Sequence, residues 1–289
     1  MESVPVEAHS LFSNLMFLFE NLEDKQKNTI FANMKKLLLL LTLIIVSPHI
    51  GMNMEANNTI ANICSVIKKG MRFLFIGDSI TDGGWGRSGG NMMPTEQRNK
   101  KDLNHIYGHS YMMLCAARIQ SDYPELETQF FNRGISGNTL LDLQGRWQAD
   151  CLDLNPDMVT LLVGTNDVDK FLSGKATLDM KQWEKDYRQL LDQLRTANPD
   201  VKIALGTPFV AQVGRIGSQD NYQQRKALIA ECATVVRRIA SDYHATLLDY
   251  EKLFNELTAK NASYWIWDGI HPTAAGHQKM ADLWLRAIK

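Results

Sequence analysis

The chain has 289 residues, enough for one large domain or two small ones. Hydrophobic residues make up 45% and charged residues 22%, which is typical of a water-soluble globular protein. The formal net charge is -1, and no basic stripe interleaved with aromatic residues is visible. The net charge argues neither for nor against nucleic acid, but the lack of such a stripe argues against a nucleic-acid-binding protein.

A short apolar run follows a basic start near the N-terminus. Met34-Lys35-Lys36 precedes the largely apolar residues 37–46, and Ser47-Pro48 follows them. This pattern is typical of a secretory signal peptide, whereas a membrane-spanning helix needs about 20 apolar residues. We therefore predict a signal peptide at residues 34–50, starting at Met34, and a secreted or periplasmic protein without a stable membrane span.

Two segments flank this predicted signal peptide. Our hypothesis is that residues 1–33 are an extension that results from an overlong gene assignment. The alternative is a genuine amphipathic extension, because Leu11, Leu15, Leu18 and Leu22 fall on one helical face. We interpret residues 51–67 as a polar spacer.

From Gly70 onward, short apolar runs alternate with longer segments of helical period. The apolar runs lie at residues 73–76, 130–131, 158–163, 201–205 and 245–248. The helical segments lie at about residues 110–122, 140–152, 178–197, 223–243 and 274–288. Strands that are apolar almost throughout are usually buried on both faces of a parallel sheet. The pattern predicts one α/β domain at residues 68–289, a three-layer sandwich around a five-stranded parallel sheet.

The cysteines are spread along the chain. Cys64, Cys115, Cys151 and Cys232 form no CxxC pair and no Cys/His cluster with zinc spacing. We expect small core residues rather than disulfide partners, and we predict neither a metal site nor a cofactor.

The first apolar run ends in Gly77-Asp78-Ser79-Ile80. A serine directly after a buried strand projects its hydroxyl at the edge of the sheet where functional residues of parallel sheets collect. A helix that begins there would direct backbone N–H groups towards developing negative charge. The alternative is that Ser79 only caps a helix, and this motif alone favours neither interpretation.

Asp268 and His271 lie close together near the C-terminus, in the segment 268–272. A serine nucleophile needs a base, and histidine suits that role at neutral pH. An acid three residues earlier can accept the Nδ1–H bond and leave Nε2 facing the serine. The alternative is a turn with a surface histidine, which we expect for the same spacing at Asp102 and His105 in a polar stretch.

Two middle loops supply candidate donors for an oxyanion. Gly134 can bring its backbone N–H close because it has no side chain, and Asn166 offers a side-chain amide. The N–H of Ser79 would be the third donor, and such donors are typically worth about 10²–10³ in rate each. Each residue alone could belong to an ordinary turn, but together with His271 they favour a catalytic site.

The segments 77–82, 133–138, 164–167 and 268–272 resemble the four sequence blocks of the SGNH (GDSL) hydrolase family, in family order. The resemblance covers roughly residues 70–289 and implies a flavodoxin-like sandwich and a metal-free serine hydrolase. It implies Ser79, Gly134 and Asn166 in the oxyanion hole, His271 as base and Asp268 as its orienting acid. Residues 132–138, 142–147 and 267–272 are most similar to acetylxylan esterases and lysophospholipase-like members.

Tryptophans near the candidate site suggest a sugar substrate. Trp85 and Trp267 are candidate substrate-binding residues, because flat aromatic faces suit sugar surfaces. The tryptophans of the helical segments, Trp147, Trp183 and Trp284, are instead expected to pack against the sheet. We predict a serine esterase that removes acetyl groups from a small-molecule or oligosaccharide ester of xylan type. The alternatives are a lysophospholipase or thioesterase-type acyl hydrolase, and a binding module with the glycine-rich residues 83–90 around a phosphate. The sequence leaves the oligomeric state open, with a homo-oligomer as one alternative.

Overall fold

A computed structural model describes Gln26 and residues 67–84 and 107–288. Several sequence predictions lie outside these residues: the N-terminal extension, the signal peptide, the spacer up to residue 66, Cys64, Trp85, Asp102, His105 and residues 85–90 of the glycine-rich loop.

Five strands in the described residues form one parallel sheet. They span Arg72–Gly77 (β1), Gln129–Gly134 (β2), Met158–Leu162 (β3), Lys202–Gly206 (β4) and Thr246–Leu248 (β5). The spatial order is β2-β1-β3-β4-β5, and every neighbouring pair is parallel. This is the flavodoxin-like order, whose topological switch point lies between β1 and β3. The predicted parallel sheet is thereby confirmed.

Helices connect the strands. They span Ser79–Asp82 (α1), Tyr111–Asp122 (α2), Leu140–Asp150 (α3), Thr165–Leu172 (α4), Met180–Ala197 (α5), Gly214–Gly217 (α6), Tyr222–Asp242 (α7), Tyr250–Trp265 (α8) and Ala274–Ala287 (α9). Short 3-10 turns lie at Pro124–Leu126 and Leu152–Leu154. The predicted helices correspond to α2, α3, α5, α7 and α9, whereas α1, α4, α6 and α8 were not predicted.

Aromatic side chains join the sheet to the helices. The Phe75 ring lies 5.2 Å from the Trp284 ring and 5.7 Å from the Tyr111 ring, between centroids. The buried Trp284 indole donates to Thr160 Oγ1 at 2.9 Å, so its polar atom is satisfied. Helices α2, α8 and α9 pack as one group and α3, α4, α5 and α7 as another, so that helices surround the sheet.

The predicted core positions of the tryptophans and cysteines are confirmed where the structure describes them. Trp147, Trp183 and Trp284 are buried, as are Cys115, Cys151 and Cys232, which are free thiols. Among the helices of the described residues, none combines the length and the apolar character that crossing a membrane requires.

Candidate active site

Ser79 is the first residue of α1 and is separated from the end of β1 by Asp78 alone. Asp78 is the N-cap: its Oδ1 accepts the Ile80 N–H at 2.9 Å, and Gly83 ends the helix at φ 57°. The helix cap is therefore Asp78, which removes the capping interpretation of Ser79. Because β1 lies between β2 and β3, Ser79 stands at the switch point of the sheet.

Ser79, His271 and Asp268 form a continuous chain of hydrogen bonds. Ser79 Oγ lies 2.8 Å from His271 Nε2, and His271 Nδ1 lies 2.9 Å from Asp268 Oδ2. The other carboxylate oxygen, Asp268 Oδ1, accepts the backbone N–H groups of Ile270 at 3.0 Å and His271 at 2.8 Å. This is the geometry in which a histidine can accept the proton of a serine while a carboxylate fixes the orientation of the histidine ring.

Asp268 and His271 share one short loop. Ile266 and Pro272 form an antiparallel bridge, and the Trp267 N–H donates to the His271 carbonyl at 3.1 Å. Gly269, which lies between Asp268 and His271, has φ 100°, a conformation that favours glycine. Local backbone structure therefore sets the spacing of Asp268 and His271.

The segment 211–217 holds this loop against the rest of the domain. Ala211 N–H donates to the Gly269 carbonyl at 2.9 Å, and Ile216 N–H donates to the Asp268 carbonyl at 3.1 Å. A Cβ on Gly269 would lie 2.5 Å from Ile216 Cβ, so the close approach also requires glycine. Arg215 adds an ion pair, with Nη2 at 3.2 Å from Asp268 Oδ2.

The pKa values of two aspartates at the site, Asp268 and Asp78, are shifted in opposite directions. Burial raises the pKa of Asp268, but hydrogen bonds from the His271 ring and from two backbone N–H groups outweigh it and hold the pKa well below its usual range. Burial raises the pKa of Asp78 to about 7, opposed by the Ile80 N–H and the charge of His271 and assisted by Asp167. Asp268 therefore stays ionised under conditions in which Asp78 gains a proton.

Asn166, in the first turn of α4, lies beside Asp78, the residue that precedes Ser79. Its Nδ2 donates to the Asn138 carbonyl at 3.1 Å and approaches Asp78 Oδ2 at 3.4 Å. The Asn166 amide is thus held between the β2–α3 loop and the residue that precedes Ser79. The Ser79 N–H belongs to the first turn of α1, where backbone N–H groups have no partner within the helix.

Gly134 does not occupy the predicted position of an oxyanion donor. It is buried, and its N–H donates to Asn132 Oδ1 at 2.9 Å. A Cβ on Gly134 would lie 2.1 Å from Asp82 N, so glycine is needed because α1 packs directly over the end of β2. The structure explains Gly134 by this close backbone contact, which the sequence alone did not reveal.

The exposed glycine of the same loop is Gly137, which the sequence reasoning passed over. It has φ 82°, and no atom of the described residues lies within 4 Å of where its Cβ would be. Its neighbour Asn138 accepts from Asn166, so the open backbone at Gly137 lies beside the amide. The sequence did contain a signal for choosing Gly137: it lies in the loop after the strand, whereas Gly134 is still the last residue of β2.

An exposed aromatic side chain lies beside His271. Trp267 is 64% exposed, and its ring centroid lies 6.4 Å from that of His271. Tyr264 is also exposed and meets Trp265 edge to face at 4.8 Å. The structure thus brings the predicted Trp267 to the site, while Trp85 lies outside the described residues.

In residues 67–84 and 107–288, no group of three His, Cys, Asp or Glu side chains is arranged to hold a metal ion. The expectation of a cofactor-free site stays a prediction.

A flavodoxin-like sheet with a serine, a histidine and an aspartate at its switch point is the arrangement of a serine hydrolase. The chain belongs to the GDSL-like lipase/acylhydrolase family, whose model matches residues 75–279. It is a carboxylic ester hydrolase of the serine type.

The chain is also similar to individual members of this family and to solved structures. An acetylxylan esterase from Geobacillus stearothermophilus is 33% identical over 229 residues, which cover 77% of this chain and 95% of the relative. The crystal structure of Axe2, an acetylxylan esterase from that organism, matches with 30% identity and a TM-score of 0.63, over 77% of this chain and 96% of the other. LAE5, an α/β hydrolase from the metagenome of Lake Arreo, matches with 27% identity and a TM-score of 0.65, over 76% and 96%.

Proposed function

We propose that Ser79 is the nucleophile, His271 the general base and Asp268 the acid that orients it. The observation that carries this proposal is the hydrogen-bonded chain from Ser79 Oγ through the His271 ring to Asp268. His271 Nε2 takes the Ser79 proton as Oγ attacks the ester carbonyl, and then returns it to the leaving alcohol. Water deacylates the resulting acyl-enzyme with His271 again acting as base.

The negative charge of the tetrahedral intermediate needs preorganised donors. We assign this role to the N–H of Ser79, the Nδ2 amide of Asn166 and the N–H of Gly137. Gly137 replaces Gly134 in this set, because the Gly134 N–H is already bonded to Asn132. The bond from Asn166 to the Asn138 carbonyl supports the assignment, since it holds the amide next to the Gly137 loop.

The substrate we propose is an acetyl ester on a xylan-type carbohydrate, and the partner is an acetylated oligosaccharide. The identity shared with an acetylxylan esterase supports this choice. The exposed face of Trp267 supports it as well, because an aromatic ring beside the base offers an apolar surface to a sugar ring.

The test has two stages. A fluorophosphonate probe should label the folded wild-type chain and fail to label Ser79→Ala, and equal labelling of both would remove Ser79 from the mechanism. Acetate release from acetylated xylo-oligosaccharides should then exceed release from simple acetyl esters at equal concentration. A panel of p-nitrophenyl esters separates the alternatives, because a preference for octanoate over acetate would favour a lipid-type acyl hydrolase.

We also propose that the protein is exported, on the strength of the basic start and apolar run from Met34. N-terminal sequencing of the natural mature protein tests this. A mature chain that still carries residues 1–33 would contradict both the signal peptide and the overlong gene assignment.

A further inference from the structure

Arg146, on α3, makes contacts that the mechanism above does not use. Its side chain is only 12% exposed. Nε donates to Asn138 Oδ1 at 2.8 Å, Nη1 to the Arg133 carbonyl at 2.9 Å and Nη2 to the Gly77 carbonyl at 3.1 Å. One guanidinium thus joins the C-terminal end of β1, the C-terminal part of β2 and the loop that follows β2.

We propose that Arg146 is a positioning residue for the oxyanion site, acting through Asn138. This inference rests on the proposed function, since it concerns how the same site is held. Asn138 makes two bonds with separate atoms: its Oδ1 accepts from Arg146, and its carbonyl accepts from Asn166 Nδ2 at 3.1 Å. The guanidinium therefore sets the place of Asn138, and Asn138 sets the place of the amide and of its neighbour Gly137.

The chemistry of arginine suits this role and that of lysine does not. A guanidinium presents five N–H donors in a rigid plane, whereas an ammonium group is one compact donor centre on a flexible stem. The three acceptors near Arg146 belong to different segments and are reached by three different nitrogen atoms. A lysine at this position cannot serve all three together.

Buried charge keeps the guanidinium in place. Asp150, which is fully buried, accepts from Arg146 Nη1 at 2.7 Å and lies 3.3 Å from Arg133 Nε. Burial lowers the pKa of Arg146, and the hydrogen bond and charge of Asp150 oppose that shift. A charged pair held by hydrogen bonds inside the protein has little freedom to reorient, so it is a suitable fixed point for the loop.

The experiment compares Arg146→Lys, Asn138→Ala and the double variant in the full chain. The readouts are kcat and KM on p-nitrophenyl acetate and the thermal unfolding midpoint. We expect kcat to fall about 10- to 100-fold in each single variant with KM within about threefold, since one lost oxyanion donor costs about 10²–10³ and misplacement costs less. Because the two residues act in series, the double variant should lose no more than the worse single variant.

Arg188→Lys is the matched control. In the described part of the chain, the Arg188 side chain donates to Glu184 and Asp242 and lies over the Tyr243 ring. These contacts on α5 and at the end of α7 are away from the site, so kcat should be kept. Unchanged kcat in Asn138→Ala, a rise in KM alone, or losses that multiply in the double variant would each overturn the proposal. If Arg146→Lys does not fold, Asn138→Ala decides alone. A failure of the proposed function differs from all of these, because the wild type would then leave p-nitrophenyl acetate intact.

Discussion

The buried carboxyl of Asp78 makes the stability of the protein depend on pH in a direction opposite to that of a surface aspartate. Asp78 is only 1% exposed, and it is faced by His271, by Asp167 of α4 and by Tyr111 of α2, whose pKa it helps to raise. Replacing it in Asp78→Asn removes the titration while it keeps an acceptor for the Ile80 N–H.

The size of the effect follows from the shift. The pKa of Asp78 rises from 3.8 to about 7, so between these values the folded state holds a proton that the unfolded state has lost. The contribution of Asp78 to the free energy of unfolding is therefore full below about pH 4 and is lost as pH rises to about 7. Three pH units at about 1.4 kcal/mol each give about 4 kcal/mol.

Urea unfolding from pH 4 to 8 measures this contribution. The free energy of unfolding of Asp78→Asn minus that of the wild type should rise by about 4 kcal/mol over this range and level off above about pH 7. Any constant cost of placing an amide beside Asn166 cancels in that slope. Asp179→Asn, at the exposed N-cap of α5, makes the same chemical change at a solvent-facing carboxylate and serves as the control. Parallel curves for wild type and Asp78→Asn would refute the reasoning.

Asp268→Asn should fold normally and lower kcat on p-nitrophenyl acetate about 10⁴-fold, because the equivalent change in serine proteases leaves the histidine in the wrong tautomer. Full activity would exclude Asp268 from the triad. Gly134→Ala should lower the free energy of unfolding by about 3 kcal/mol because its Cβ meets Asp82 N at 2.1 Å, a loss that an unchanged denaturation midpoint would contradict. Gly145→Ala, an exposed position within α3 with open space around it in the described residues, should instead stabilise by up to about 1 kcal/mol. Trp267→Ala should raise KM for acetylated xylo-oligosaccharides about 2- to 10-fold, and an equal rise with p-nitrophenyl acetate would argue against sugar stacking.

The sheet was predictable because β1, β3 and β4 are nearly continuous apolar runs, while β2 and β5 each contain a shorter apolar pair. The helices that were not predicted, such as α4 and α8, lack a comparably clear pattern of apolar residues. Helix α4 begins with the polar residues 165–167 directly after β3, and it buries only Val168 among its apolar residues. Helix α8 contains Asn261 at φ −150° and ψ 80°, an interruption that breaks its helical period. Both depend on tertiary contacts that the order of residues does not display.

In the candidate site, too, some residues could be predicted from local sequence and others could not. Ser79 follows a buried strand and His271 lies three residues from its acid, so local spacing was enough to nominate them. The choice between Gly134 and Gly137 depends on the packing of α1 over β2, a contact between distant segments. The contacts of Arg146 are of that kind too, since its acceptors lie up to 69 residues away.

The loop between Ile266 and Pro272 has a consequence for how the enzyme could be altered. This loop carries both Asp268 and His271. Two backbone hydrogen bonds, donated by Ala211 and Ile216, attach it to the segment 211–217. A displacement of the loop as one piece would lengthen the bond from Ser79 to the base and leave the bond from base to acid intact. Changes in the segment 211–217 therefore offer a way to tune the reactivity of the serine without rebuilding the pair that activates it.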